Sequence, residues 1–206
     1  MVAVSRHPLV RDRLSRLRAA ATPPREVRAL VHDLALMLLV EATTDLALAP
    51  EAIQTPLGPA QGERLAESVA FVPILRAGLG MAPAAQQLFP DATVWHLGLY
   101  RDEATLKPVE YYNRIARLTP CDRAYVLNPM LATGGSATTA IRLLRAGGAR
   151  RIGVVSIIAA PEGIAAVEAA FPEVAIQVAA VDERLNADGF IVPGLGDAGD
   201  RLFGTH

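Results

Sequence analysis

The stretch 124–136, AYVLNPMLATGGS, runs from four strand-forming residues through a small-residue loop into an Ala/Leu-rich segment of helix length. Joining a strand to a helix in this way puts the loop at the strand's carboxyl end, where the unpaired amides and positive dipole end of the helix converge. Gly134 and Gly135 let the backbone approach a ligand closely, and Thr133 and Ser136 set hydroxyls beside those amides. Chemically this is an anion cradle. The same residues also suit an ordinary strand-to-helix turn with Ser136 as N-cap, so the loop alone leaves both readings open.

Outward from this loop the same alternation recurs. Short β-rich runs at 69–75, 93–100, 123–127, 151–158 and 174–181 are separated by helix-length segments at 77–88, 136–146 and 161–170. Repeated strand-helix-strand order predicts a mostly parallel α/β sheet flanked by helices on both faces. In such sheets ligands bind beyond the carboxyl ends of the strands. Upstream, Thr22-Pro23-Pro24 reads as an N-cap with proline in the first turn, and Val27, Leu30, Val31, Leu34 and Leu38 follow at helical spacing. At 206 residues, without a linker, repeat or low-complexity segment, the chain is expected to form one domain. Its terminal segments, about 1–50 and about 186–206, are expected to pack on the core as a small hood.

Composition excludes several classes. Hydrophobic residues make up 51% and charged residues 20%, the balance of a chain with a sizeable core. The longest apolar run, Leu34 to Val40, is too short to cross a bilayer. A lone cysteine, Cys121, supports neither an internal disulfide nor a cysteine zinc site, and it fits a reducing, cytoplasmic setting. The net charge of -1 supplies no global field for nucleic acid or an anionic membrane, so phosphate binding has to be local. Lys107 is the only lysine and lies far from the glycine loop, which removes a Walker A reading. A literal G-x-G-x-x-G at 194–199 is followed by seven residues, too few for the helix and second strand of a dinucleotide site. His7, His32, His96 and His206 show no metal-ligand spacing.

Four segments together resemble the uracil phosphoribosyltransferases, members of the type I phosphoribosyltransferases. They are 72–81 (VPILRAGLGM), 100–112 (YRDEATLKPVEYY), 128–136 (NPMLATGGS) and 189–205 (GFIVPGLGDAGDRLFGT), with His7-Pro8-Leu9 and Glu41-Ala42-Thr43 as lesser matches. The resemblance implies transfer of phosphoribose from phosphoribosyl diphosphate to uracil, giving UMP and diphosphate in pyrimidine salvage, with Mg2+ carried on the donor. It implies donor contacts from Asn128, Pro129, Met130, Leu131, Ala132, Thr133, Gly134, Gly135 and Ser136, with the last four as the 5'-phosphate cradle. Arg76 and Arg101, each just after an expected strand, match the family's diphosphate-contacting arginines, and 101–112 resembles a mobile flap over the donor. Ile191, Gly196 and Ala198 match residues whose main chain reads the base, and Asp197 matches a residue near the donor and its magnesium. Asp200 is expected to serve an ion pair instead. A homodimer or higher homo-oligomer and GTP activation are also what the resemblance implies.

Backbone recognition suits this base. Uracil offers two carbonyl acceptors and ring N–H donors, a pattern that cytosine reverses at one edge. No general base stands out, and departure of diphosphate first would make catalysis mainly electrostatic, through orientation of the base and stabilisation of charge. Two departures from the family pattern matter. Asn128 stands where the family usually has aspartate, which lowers expected turnover rather than binding; Phe190 stands where many members have tyrosine. Asn128 therefore keeps open a binding or sensing module with weak chemistry. A third reading, nucleic-acid binding, rests on Arg6, Arg11, Arg13, Arg16, Arg18, Arg25 and Arg28, against a solvated helix face or subunit contact.

Overall fold

A computed structural model of the chain describes residues 1–101, 108–115 and 119–205. In chain order the first elements are β1 (Val2–Val4), α1 (Pro8–Arg18), α2 (Pro24–Ala42) and an antiparallel hairpin of β2 (Leu48–Thr55) and β3 (Gly58–Leu65). Next come β4 (Val69–Leu75), a 3-10 turn (Ala77–Gly80), α3 (Ala82–Leu88), β5 (Thr93–Val94), β6 (Leu97–Arg101) and β7 (Pro108–Asn113). The second half holds β8 (Arg123–Leu127), β9 (Met130–Leu131), α4 (Gly135–Ala146), β10 (Arg151–Ala159), α5 (Pro161–Ala170) and β11 (Ala175–Val181). A small ribbon of β12 (Arg184–Leu185) and β13 (Ile191–Val192) precedes the final helix α6 (Ala198–Phe203).

The main sheet has the order β1-β11-β10-β8-β4-β6-β7, with β5 beside β4 and β9 beside β10. Every described pairing in it is parallel except β6 with β7. After β4 the chain moves outward to β6; after β8 it moves the other way, to β10 and β11. The crevice between the carboxyl ends of β4 and β8 is therefore the switch point at which open α/β sheets hold ligands.

Alternation along the strands separates two cores. Phe71, Tyr125, Leu127, Val155 and Ile157 face one layer, where they meet Leu14 and Leu17 of α1, Leu34 and Leu38 of α2, Ala84 and Ala85 of α3, and Leu202 of α6. Ala70, Val72, Ala124, Val126 and Val154 face the other, against Ala137, Ile141 and Leu144 of α4 and Val167 of α5. Both faces are covered, which is why these strands read as continuous apolar runs. No helix among the described residues is long and apolar enough to cross a membrane.

Several boundaries differ from the sequence expectation, each for a local reason. Segment 77–88 is not one helix: Pro83 lacks the N–H that a continuous helix needs, and the chain forms a 3-10 turn before α3. Segment 93–100 breaks at Trp95 and His96, with the Trp95 N–H donating to the Phe71 carbonyl, 2.8 Å. Pro23 rather than Thr22 is the N-cap of α2; the Thr22 hydroxyl donates to the Arg16 carbonyl instead, 2.6 Å. His7 has a structural task, its Nδ1 accepting from the Leu9 N–H at the start of α1, 3.2 Å. Of the arginine-rich opening, Arg13 pairs with Asp12 and Asp33, Arg16 with Glu26 and Arg18 with Asp182, while Arg28 donates to the Leu202 carbonyl. These four arginines thus have partners within the protein, mostly on α1, α2 and the C-terminal half of the chain.

Three measurements test this packing. Leu38 is completely buried, so Leu38→Ala is expected to lose about 2–5 kcal/mol in denaturant unfolding. The Ser156 hydroxyl is fully buried without a hydrogen-bond partner, so Ser156→Ala is expected to leave stability unchanged or raised. Burial also pushes the Tyr125 phenol up to about 12, above its ordinary value near 10. The stability that depends on neutral Tyr125 is complete below pH 10 and declines as pH rises toward about 12, because the phenolate must then be buried. Alkaline unfolding curves should show this decline, and Tyr125→Phe should flatten it.

Candidate active site

At the carboxyl end of β8 the chain turns back onto the next strand. The Asn128 N–H donates to the Val155 carbonyl, 3.2 Å, and the Pro129 carbonyl accepts from the N–H groups of Ile157 and Ile158, 2.9 and 3.1 Å. β9 then pairs with β10, and the Ala160 N–H donates to the Leu131 carbonyl, 2.9 Å. These bonds hold the first half of the loop flat against the sheet. Its second half, Ala132 to Gly134, arches into the start of α4.

Gly134 is the N-cap of α4, with φ +80. A side chain there would be strained, and its Cβ would lie 2.8 Å from both the Gly163 carbonyl and the Ala166 Cβ of α5. Ser136 is thus inside the helix and not its cap, which corrects the alternative drawn from sequence. No side chain caps the N-terminus of α4, and its first turn carries no acidic residue. The amides of that turn open into solvent space with the positive end of the helix dipole behind them.

A cleft of about 430 Å³ lies in front of this terminus. Its walls bring together Arg76 from the end of β4, Asn128, Met130, Leu131, Ala132, Thr133, Gly134 and Ser136 from the β8 loop, and Ile191, Asp197 and Ala198 from the C-terminal segment. Among the expected site residues, Pro129, Gly135 and Gly196 are outside its lining. Pro129 is tied to β10 through its carbonyl, and Gly135 is the first residue of α4. Gly196 borders a neighbouring depression with Arg18, Asp197, Asp200 and Arg201. Leu131, at the back of this lining, is fully buried. Arg101 is the last residue of β6; its side chain and residues 102–107, most of the expected flap, lie outside the described residues. The flanks of that flap are an antiparallel pair, and Tyr100 and Tyr111 line the cleft with ring centroids 6.4 Å apart.

Arg76 and Asp197 are the charged side chains among the described lining residues. Arg76 Nη2 donates to Asp200 Oδ1 at 3.1 Å, which ties the end of β4 to α6. This is the ion pair expected of Asp200. Its Oδ1 also accepts from the Thr205 hydroxyl, 2.7 Å. Asp197 is the N-cap of α6, with Oδ1 accepting from the Asp200 N–H at 2.9 Å. Asn128 Nδ2 donates to the Met130 carbonyl, 2.9 Å, so its amide braces the loop from inside. An aspartate could not make that bond.

Sequence reading did not single out Ile74, Leu75, Ala77, Leu99, Ala137, Gly189 or Gly199, which also line the cleft, nor Gly163, on which the loop rests. Gly189 and Gly199 lie within the quoted C-terminal segment, whereas Gly163 carries no local signal because only its approach from α5 matters.

Comparison with known proteins agrees with this geometry. A sequence model of the uracil phosphoribosyltransferase family matches residues 4–205. The chain is 55% identical over 204 residues to a uracil phosphoribosyltransferase of Roseiflexus sp. (strain RS-1), covering 99% of this chain and 98% of that one. It is 50% identical over 206 residues to one from Dictyoglomus thermophilum, covering all of both. A solved protein structure from Aquifex aeolicus superposes with a TM-score of 0.95 at 40% identity, covering 100% of this chain and 99% of that one. An adenine phosphoribosyltransferase from Giardia lamblia, at 16% identity and a TM-score of 0.52 over 76% of this chain and 81% of that one, shares the fold alone. With a cradle at the switch point and this match along nearly its whole length, the chain belongs to the uracil phosphoribosyltransferase family.

Proposed function

We propose that the cleft transfers phosphoribose from phosphoribosyl diphosphate to uracil, giving UMP and diphosphate, as a pentosyltransferase of pyrimidine salvage. The observation that carries this reading is the uncapped N-terminus of α4 opening into the cleft between Thr133 and Ser136. The 5'-phosphate of the donor is the anion that suits it. Arg76, held toward the cleft by Asp200, is placed for the diphosphate, and Arg101 is assigned the same task from the other side. Uracil then lies against 190–198, where Ile191 and Ala198 border the cleft and Phe190 supplies an apolar wall. Gly196 belongs to this reading as a residue of the rim rather than the floor.

The chemistry asks little of any proton-transfer group. As diphosphate departs, positive charge develops at the anomeric carbon, and the side-chain oxygen of Asn128 is the nearby acceptor assigned to the ribose hydroxyls. Orientation of uracil's ring nitrogen against that carbon supplies the rest. Among the described residues no three His, Cys, Asp or Glu side chains gather into a metal cage. Asp197 is the carboxylate in the lining, and it would be the residue to hold a magnesium ion carried on the donor. Such an ion, when bound, neutralises charge on the leaving diphosphate. A homodimer, GTP activation and a cytoplasmic setting complete the proposal; sedimentation and initial rates with and without GTP test the first two.

The deciding assay is UMP formation from uracil and phosphoribosyl diphosphate with magnesium, beside cytosine and the purine bases. Turnover with uracil alone is expected; silence with uracil would leave the sensing-module reading that Asn128 motivates. Asn128→Asp is expected to raise kcat about tenfold, equivalent to about 1.4 kcal/mol, by restoring charge beside the developing cation. It should also raise the KM for the donor, since the Met130 carbonyl loses its partner. An unchanged kcat would remove the charge argument. Gly134→Ala is expected to raise the donor KM by about tenfold or more, because a left-handed residue other than glycine costs roughly 1–2 kcal/mol even before the contact with Gly163. Steady-state kinetics with each substrate varied in turn would read both effects.

A further inference from the structure

The loop assigned above to the base is not self-supporting, and what holds it comes from the opposite end of the chain. Gly194 is buried with φ +61, and a Cβ at that position would lie 2.1 Å from the Ile191 carbonyl. Its N–H donates to Asp182 Oδ2 at 2.9 Å, and its carbonyl accepts from Arg18 Nη1 at 2.7 Å. Arg18 also donates from both terminal nitrogens to the two carboxylate oxygens of Asp182. One ion pair therefore grips the N–H and the carbonyl of the same residue. Asp182 follows directly on β11, at the carboxyl edge of the sheet, with its side chain only 4% exposed. Arg18 is the last residue of α1.

A second guanidinium repeats the connection one residue further on. Arg201 Nη1 donates to the carbonyls of Leu17 and Leu195, 2.5 and 3.0 Å, and its Nη2 donates to the Ala19 carbonyl, 2.8 Å. The carbonyls at the end of α1, which have no partner within their own helix, are thereby satisfied from α6. Successive carbonyls of the loop, Gly194 and Leu195, are each held by an arginine. Gly196, Asp197 and Ala198 follow immediately.

We propose that Arg18, Asp182 and Arg201 are positioning residues for base recognition, fixing the backbone at Gly194 and Leu195 so that the main chain of 191–198 meets the base in one register. This rests on the assignment of that segment to uracil. None of the three side chains is assigned a contact with substrate. Recognition through the main chain needs such a frame, because a peptide group displaced by about 1 Å no longer aims its donor or acceptor at the base. The planar, forked guanidinium suits a site that must engage a carboxylate and a carbonyl together, which a lysine cannot reproduce.

The test compares Arg18→Met, Arg18→Lys and the double variant Arg18→Met/Asp182→Leu, with uracil and donor varied separately. Because breaking one side of a buried ion pair can prevent folding while removing both charges is tolerated, the double variant keeps the test valid. The KM for uracil should rise about tenfold or more in Arg18→Met and in the double variant, with a smaller rise in Arg18→Lys and a donor KM within about twofold of wild type. Hydrogen exchange of the wild-type protein with UMP and with ribose 5-phosphate separates the two levels of the argument. Protection of 190–199 by UMP beyond that given by ribose 5-phosphate supports the base site; its absence overturns that assignment and the positioning role with it. If the protection is present but the double variant keeps the wild-type KM for uracil, or loses affinity for both substrates equally, the positioning role is overturned and the base site stands.

Discussion

The site depends on a short set of backbone hydrogen bonds from β10 to the chain just beyond β8. Ile157, Ile158 and Ala160 donate to the carbonyls of Pro129 and Leu131, and β9 forms as a consequence. Where β8 ends, the polypeptide would otherwise leave the sheet. Pinned to its neighbour for two more residues, it leaves only Ala132 to Gly134 to turn into α4. A loop that short and that anchored presents the amides of the helix N-terminus in a fixed direction, which is what an anion site requires. Rigidity here also explains why the proline is useful: its carbonyl takes two donors, and its missing N–H has nothing to satisfy.

Around that anchor the cleft is closed by elements far apart in sequence. Arg76 closes one side because β4 lies beside β8, although 51 residues separate the ends of the two strands in the chain. The C-terminal segment closes another, held by the Arg76–Asp200 pair on the cleft side and by Arg18, Asp182 and Arg201 behind it. Polar contacts at the exposed Arg76–Asp200 pair contribute modestly to stability. Their value lies in direction, since they decide where a guanidinium and a stretch of main chain point.

Asn128 illustrates how one substitution can redistribute a site's work. Its amide nitrogen steadies the loop through the Met130 carbonyl while its oxygen is assigned to the ribose. A carboxylate in the same place would serve the second task better and abandon the first. The residue thus trades electrostatic strength for internal bracing.

Much of this molecule was readable before its structure. The strand limits at 69–75 and 123–127 and the helix at 161–170 agree with Val69–Leu75, Arg123–Leu127 and Pro161–Ala170, because both faces of the sheet are covered and β-rich runs end at turn residues and proline. The glycine loop and the motif-bearing segments 72–81 and 189–205 were also legible, and the structure brings residues of all three to one cleft. The exposed hairpin at 48–65 escaped notice, as its polar, proline-containing strands carry no core pattern. So did the capping of α4 by Gly134 instead of Ser136, which depends on α5 packing so close that a Cβ at Gly134 would lie 2.8 Å from it. Least visible were Arg18, Asp182 and Arg201. An arginine in a basic opening and an aspartate after a strand carry no signature of their own. Only the folding of α1 against the sheet edge and α6 brings Arg18 and Asp182 to Gly194 and Arg201 to its neighbour Leu195, and that is a property of distance in space, which the order of residues does not contain.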